Sequence, residues 1–99
     1  MVKPVIGDVV VLPFPQTDLQ VGKRRPALVV ADLAGDDLIL CQITSKSHQR
    51  DPYSIPLLTT DFGRGGLKLD SYIRANRLFT VDHAVVLYVV GGIKPEKLQ

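Results

Sequence analysis

One cysteine, no tryptophan and one methionine stand in a chain of 99 residues. The single cysteine, Cys41, excludes an internal disulfide and a cysteine-built zinc cage. It falls between Leu40 and Gln42 on an apolar stretch, so a buried small hydrophobe is expected there, not a nucleophile. Aromatic residues are equally scarce, three tyrosines and three phenylalanines, too scattered for a stacking platform. Tyr72 and Phe14 each suit stacking on one base, and most of Tyr53, Phe62, Phe79 and Tyr88 are expected in the core. Long apolar runs are missing too: the longest, 84–90, is far below the ~20 residues of a membrane-spanning helix. The first residues carry one positive charge and no apolar stretch before Gly7, unlike a signal peptide, so a soluble cytoplasmic protein is expected.

What is present fits one ordinary globular domain, with 45% hydrophobic and 22% charged residues. Net charge is only +2, but the basic residues are bunched: Lys23, Arg24 and Arg25, then Lys46 to Arg50, then Arg64, Lys68, Arg74 and Arg77. Local field, not the total, governs phosphate binding. On charge alone a solvated basic surface is an equal reading.

Residues 8–14 are β-branched and apolar, closed by Pro13 and Pro15, and predict a strand. Residues 15–24 lack an apolar period and predict a loop. Residues 26–33 and 38–43 predict a hairpin turning at Ala34-Gly35-Asp36-Asp37. In the polar stretch 44–56, Pro52 and Pro56 confine any strand to an edge. Residues 58–66 allow one helical turn, with Thr59 or Thr60 as N-cap and Gly65-Gly66 as stop. Residues 72–81 and 84–90 predict two more strands with Asp82-His83 between them, and His83 there is structural or incidental. Residues 94–99 resemble a helix start. Several short strands with frequent turns describe a sandwich or barrel.

Three pieces, in order, resemble the PemK/MazF toxin family: Gly7-Asp8-Val9-Val10, Arg24-Arg25-Pro26-Ala27-Leu28-Val29-Val30, and Leu40-Cys41-Gln42-Ile43-Thr44-Ser45. A fourth, Asp70-Ser71 followed by 72–82 with its Thr80-Val81-Asp82 ending, is similar to the family's later strand. The resemblance implies a mainly β fold, a small SH3-like barrel of the CcdB/MazF toxin type with short helical segments. It spans 1–99 as a single toxin domain whose C-terminal helix stops after its first turn. It further implies a homodimer, metal-independent and sequence-specific cleavage of single-stranded RNA such as mRNA without a cofactor, and an antitoxin partner whose acidic tail lies across the RNA site.

Such cleavage uses the 2′-hydroxyl of the substrate as nucleophile, so the protein must orient the phosphate, stabilise charge and move protons. Arginine suits the first two, being always charged and forked to match two phosphate oxygens. By the resemblance, Arg25 is the active-site arginine before proline, and Pro26 holds it in extended backbone. Thr44 matches the active-site threonine, its hydroxyl suited to a phosphate oxygen or the 2′-hydroxyl. Alternation groups it with Gln42, Leu40 and Leu38, against Ile39, Cys41 and Ile43. Arg74 matches an arginine used at the scissile phosphate. Around this catalytic set, Lys23, Arg24, Ser45, Lys46, His48, Asp70, Ser71 and Asn76 are the expected RNA contacts.

Arg74 and Asn76 are expected to share a strand face with Tyr72, spaced ~7 Å apart. Asn76 departs from the pattern, because several relatives carry a carboxylate there that can act as base. Asp70, Asp18 and His48 are the alternative bases, unless electrostatic stabilisation carries catalysis. Two other readings stay open. A CcdB-like gyrase poison shares the fold but uses a C-terminal tryptophan motif absent here, and a non-catalytic SH3-like nucleic-acid-binding module would bind without cleaving.

Overall fold

The structure, a computed structural model, describes residues 3–14, 23–44, 54–67 and 70–95. Seven strands form one curled antiparallel sheet: β1 (Asp8–Phe14), β2 (Lys23–Asp32), β3 (Asp37–Thr44), β4 (Ser54–Leu57), β5 (Phe62–Gly65), β6 (Ser71–Asp82) and β7 (Tyr88–Ile93). Their order across the sheet is β4-β6-β3-β2-β1-β7-β5, a half-barrel open between β4 and β5. Among the described residues the helical segments are two single 3-10 turns, Thr59–Asp61 and His83–Val85, and a helix start at Pro95.

Alternation along the strands feeds two apolar clusters. Val9, Leu28, Cys41, Ile43, Leu57, Phe62, Ile73 and Ile93 form one. Val10, Leu12, Ala27, Val29, Leu38, Leu40 and Val86 form the other, with Phe79 and Val81 packed against it. Along β3, Leu38 and Leu40 go to one cluster and Cys41 and Ile43 to the other, as a two-residue period requires. Curling the sheet lets both of its faces bury side chains.

The structure moves several boundaries. β2 begins at Lys23, so Lys23 and Arg24 are strand and not loop, because Pro13 and Phe14 continue β1 and pair with Arg24 and Lys23. The N-cap of the first 3-10 turn is Leu58, not a threonine: the Asp61 carboxylate accepts from Leu58 N–H at 2.8 Å and from the far side of the turn does the capping. The chain then enters β5 at once. Its last strand starts at Tyr88, not 84, because the Asp82 carboxylate accepts from Ala84 N–H at 2.8 Å and winds 83–85 into a turn. Pro56 does sit in an edge strand, β4. Phe62 belongs to the first cluster and Phe79 packs against the second, whereas Tyr88 is exposed. Tyr53 and residues 96–99 lie outside the described residues.

Gly7-Asp8 is a structural pair. Gly7 has φ +96°, and its N–H donates to Val29 O at 2.9 Å while its carbonyl accepts from Ile93 N–H at 3.0 Å, joining β2 and β7 at the entrance to β1. Asp8 is buried, accepts from Val5 N–H at 3.0 Å and pairs with Arg64 on β5. Gly92 lies between them in the sheet, opposite Asp8 on one side and Arg64 on the other. A Cβ at Gly92 would stand 3.0–3.1 Å from the Arg64 guanidinium. Glycine there lets the arginine cross β7.

Candidate active site

Register places the site. Leu12 on β1 is opposite Arg25 on β2, and Thr44 on β3 is opposite Tyr72 on β6. The β2–β3 ladder ends at Ala27–Gln42, and two residues further along these strands come Arg25 and Thr44, on the face of that last pair. Directly opposed residues in antiparallel strands project to the same face. Arg25, Thr44 and Tyr72 therefore form a row across three strands, at the end of the apolar face carrying Leu12 and Ala27. Thr44 is buried, and Arg25 and Tyr72 are half-buried. A buried hydroxyl beside a half-buried guanidinium offers fixed donors at the margin of a low-dielectric surface.

Arg74 follows Tyr72 on the same face, at the start of an irregularity that the sequence did not reveal. Between the pairs Ile43–Ile73 and Cys41–Leu78, β3 advances two residues and β6 five, so β6 carries three in excess at 74–77. Up to that break the ladder is regular. Ile73 goes into the core, leaving Tyr72 and half-buried Arg74 on the opposite face, with Arg74 Nε out of solvent. Strand spacing and rise put the Arg25 and Arg74 backbones roughly 10–12 Å apart, a span two converging arginines can close over one phosphate. Uninterrupted spacing from Tyr72 through Asn76 does not survive, since Asn76 lies within the excess. Its side chain, like those of Lys23 and Phe14, is outside the described residues.

Cys41 spans the break. Its thiol donates to the Arg74 carbonyl at 2.9 Å, and burial pushes its pKa up to about 11. The expected burial holds, and a role as hydrogen-bond donor is added.

Other expected residues fall as follows. Arg24 and Arg77 are exposed. Ser71 is buried opposite Leu57, on the core side of β6. Asp70 accepts from Thr59 N–H at 3.0 Å, which ties its carboxylate to the 3-10 turn. Asp18, Ser45, Lys46 and His48 lie outside the described residues. His83 Nε2 is 3.4 Å from Asp36, and its backbone N–H donates to Asp36 O at 2.8 Å, a structural bridge far along β3 from Thr44. Among the described residues no group of three or more His, Cys, Asp or Glu is placed to hold a metal ion, and no helix is long and apolar enough to cross a membrane.

Sequence reasoning missed the Arg64–Asp8 pair and its cavity of about 220 Å³, lined in part by Ile6, Asp8, Arg64 and Lys94. Its only sequence signal is the basic residue inside the Gly63-Arg64-Gly65-Gly66 run.

The chain matches no curated protein sequence. Among solved structures it is similar to the MazE-MazF crystal structure from Deinococcus radiodurans, with TM-score 0.74 and 21% identity over 98% of this chain and 87% of that one. It is also similar to an endoribonuclease in complex with its cognate antitoxin from a Mycobacterial species, with TM-score 0.66 and 16% identity over 94% of this chain and 82% of that one. At these identities the likeness is one of fold. Residues 6–99 match the family described as PemK-like, MazF-like toxins of type II toxin-antitoxin systems, and the chain belongs to that family.

Proposed function

We propose that this toxin is an endoribonuclease that cleaves single-stranded RNA, mRNA included, by attack of the 2′-hydroxyl on the adjacent phosphorus, without a metal ion. The observation that carries the reading is the convergence of Arg25, Thr44 and Arg74 on one sheet face. In the reaction the 2′-oxygen bonds to phosphorus and the bond to the 5′-oxygen breaks. The products are a 2′,3′-cyclic phosphate and a 5′-hydroxyl. Arg25 and Arg74 hold the non-bridging oxygens as charge builds on them, and Thr44 positions a phosphate oxygen or the 2′-hydroxyl. The 2′-hydroxyl proton passes to a base or water, and the leaving oxygen takes one up.

Asn76 cannot accept that proton at neutral pH, and Asp70 is engaged by Thr59 N–H. Asp18 and His48 stay open as the base, and charge stabilisation by the two arginines contributes whichever group takes the proton. Exposed Arg24, with Lys23 and the basic segment holding Ser45, Lys46 and His48, extends the contact along the RNA backbone. The toxin acts as a homodimer and is silenced by an antitoxin whose acidic tail competes for the same arginines.

The test is incubation with a long single-stranded RNA in chelator, beside Arg25→Ala and Thr44→Ala. Cleavage leaving cyclic or 3′-phosphate ends, lost by ~10²-fold or more in each variant, is expected. Intact RNA at high protein concentration, with no growth arrest on expression, would overturn the reading.

A further inference from the structure

We infer that Cys41 is a positioning residue for Arg74, its thiol holding the Arg74 carbonyl at the break in the β3–β6 ladder and so aiming the guanidinium at the face shared with Arg25 and Thr44. The inference rests on the nuclease reading for its catalytic consequence, not for its geometry. In a regular ladder the backbone of the neighbouring strand fixes each residue's orientation. Beyond Ile43–Ile73 the β3–β6 register is lost until Cys41–Leu78, and Arg74 is the first residue past the last regular pair. β4 supports it on the other side through Ser54. Toward β3, a side chain adds a contact, Cys41 Sγ to Arg74 O at 2.9 Å.

A residue here has three requirements. It must fill the core cluster beside Leu28, Ile43 and Ile73, reach a carbonyl on the next strand, and carry a hydrogen to donate. Valine and alanine satisfy the first only. A buried thiol satisfies all three. Rotation of one peptide plane at Arg74 would swing the guanidinium off the row. Misplacements of about 1 Å at a reacting group cost ~10²-fold in rate.

The experiment compares Cys41→Ser, Cys41→Ala and Cys41→Val in the full chain by kcat and KM on RNA. Binding of a 2′-O-methyl analogue, which cannot be cleaved, is measured alongside. Alanine and valine should lower kcat ~10–100-fold with analogue binding changed less than about threefold, and serine, which keeps a donor, should recover to within about threefold of wild type. On an Arg74→Ala background Cys41→Ala should add nothing. A second readout needs no catalysis: the Arg74 Nε–H resonance should exchange slowly in wild type and Cys41→Ser, and faster in Cys41→Ala and Cys41→Val. Unchanged exchange in Cys41→Ala, or a serine variant as impaired as alanine, overturns the inference. Wild type that leaves RNA intact while the resonance behaves as expected overturns the nuclease reading alone.

Discussion

Cys41 gives the protein a pH-dependent loss of stability on the alkaline side. Its folded pKa, about 11, lies above the ordinary thiol value of 9.0. A folded value raised above the unfolded one means that the contribution is complete below the unfolded pKa and is lost as pH climbs through the folded one. Wild type should therefore lose up to about 2–3 kcal/mol between pH 9 and 11 beyond any loss in Cys41→Ala. Urea unfolding of both proteins at intervals across that range checks it. The Arg64–Asp8 pair makes an asymmetric prediction. Arg64→Ala strands a buried carboxylate with Val5 N–H as its remaining partner, at a cost of roughly 2–4 kcal/mol, whereas Asp8→Asn leaves an exposed guanidinium that water can solvate and should cost less than half of that. Equal losses in chemical denaturation would contradict this reading. At this scale the sequence was informative where chemistry is local. Resemblance to the family pointed to Arg25 and Thr44 as candidates, and alternation along 38–44 grouped Thr44 with Leu38 and Leu40, the face on which the sheet places it. Arg64 was illegible because its partner lies 56 residues away and the residue that permits the contact, Gly92, has no side chain to announce it.

Among the strands, β5 depends on a close approach that only glycine permits. Gly65 has φ +59° and is opposite Gly91, and a Cβ on Gly91 would stand 2.5 Å from Arg64 O and 2.8 Å from Gly66 N, both backbone. Gly91→Ala should cost about 2–3 kcal/mol, mostly by prising β5 from β7, and lower the melting temperature by roughly 8–20 °C. Gly63→Ala, whose nearest contacts are 3.7 Å or more, is the control and should stay within about 1 kcal/mol of wild type by thermal melting. β1, β2, β3 and β6 were readable because β-branched runs bounded by turn residues leave little alternative. β5, with the sequence Phe-Gly-Arg-Gly, has neither a β-branched residue nor an apolar alternation. It is a strand because β7 offers it an edge. The excess at 74–77 was equally hidden, since register belongs to a pair of strands and a single strand's pattern does not report it.

Across the whole molecule, Val85, Leu87, Tyr88 and Val89 leave large apolar groups exposed within a short stretch, as subunit contacts do. The proposed homodimer should scatter light at about twice the 10.9 kDa chain mass over micromolar concentrations, and a monomer there would remove that part of the proposal. RNA affinity should fall steeply with salt, because each neutralised phosphate releases counterions. Arg24→Ala should reduce the log–log slope by about 0.7 while weakening all single-stranded sequences alike. A slope unchanged by that substitution would take Arg24 out of the interface.

The three surplus residues of β6 also bear on how such a site can change over generations. Ile43–Ile73 on one side and Leu40–Phe79 on the other pin the sheet independently, so both apolar clusters keep their members whatever the intervening chain does. A residue gained or lost between Arg74 and Arg77 is absorbed at that point, whereas the same change in β2 would turn every later side chain over. Among the described residues, 74–77 is therefore a place beside the arginines where length is free to vary, and a change in what this face accepts can arise there without a new fold.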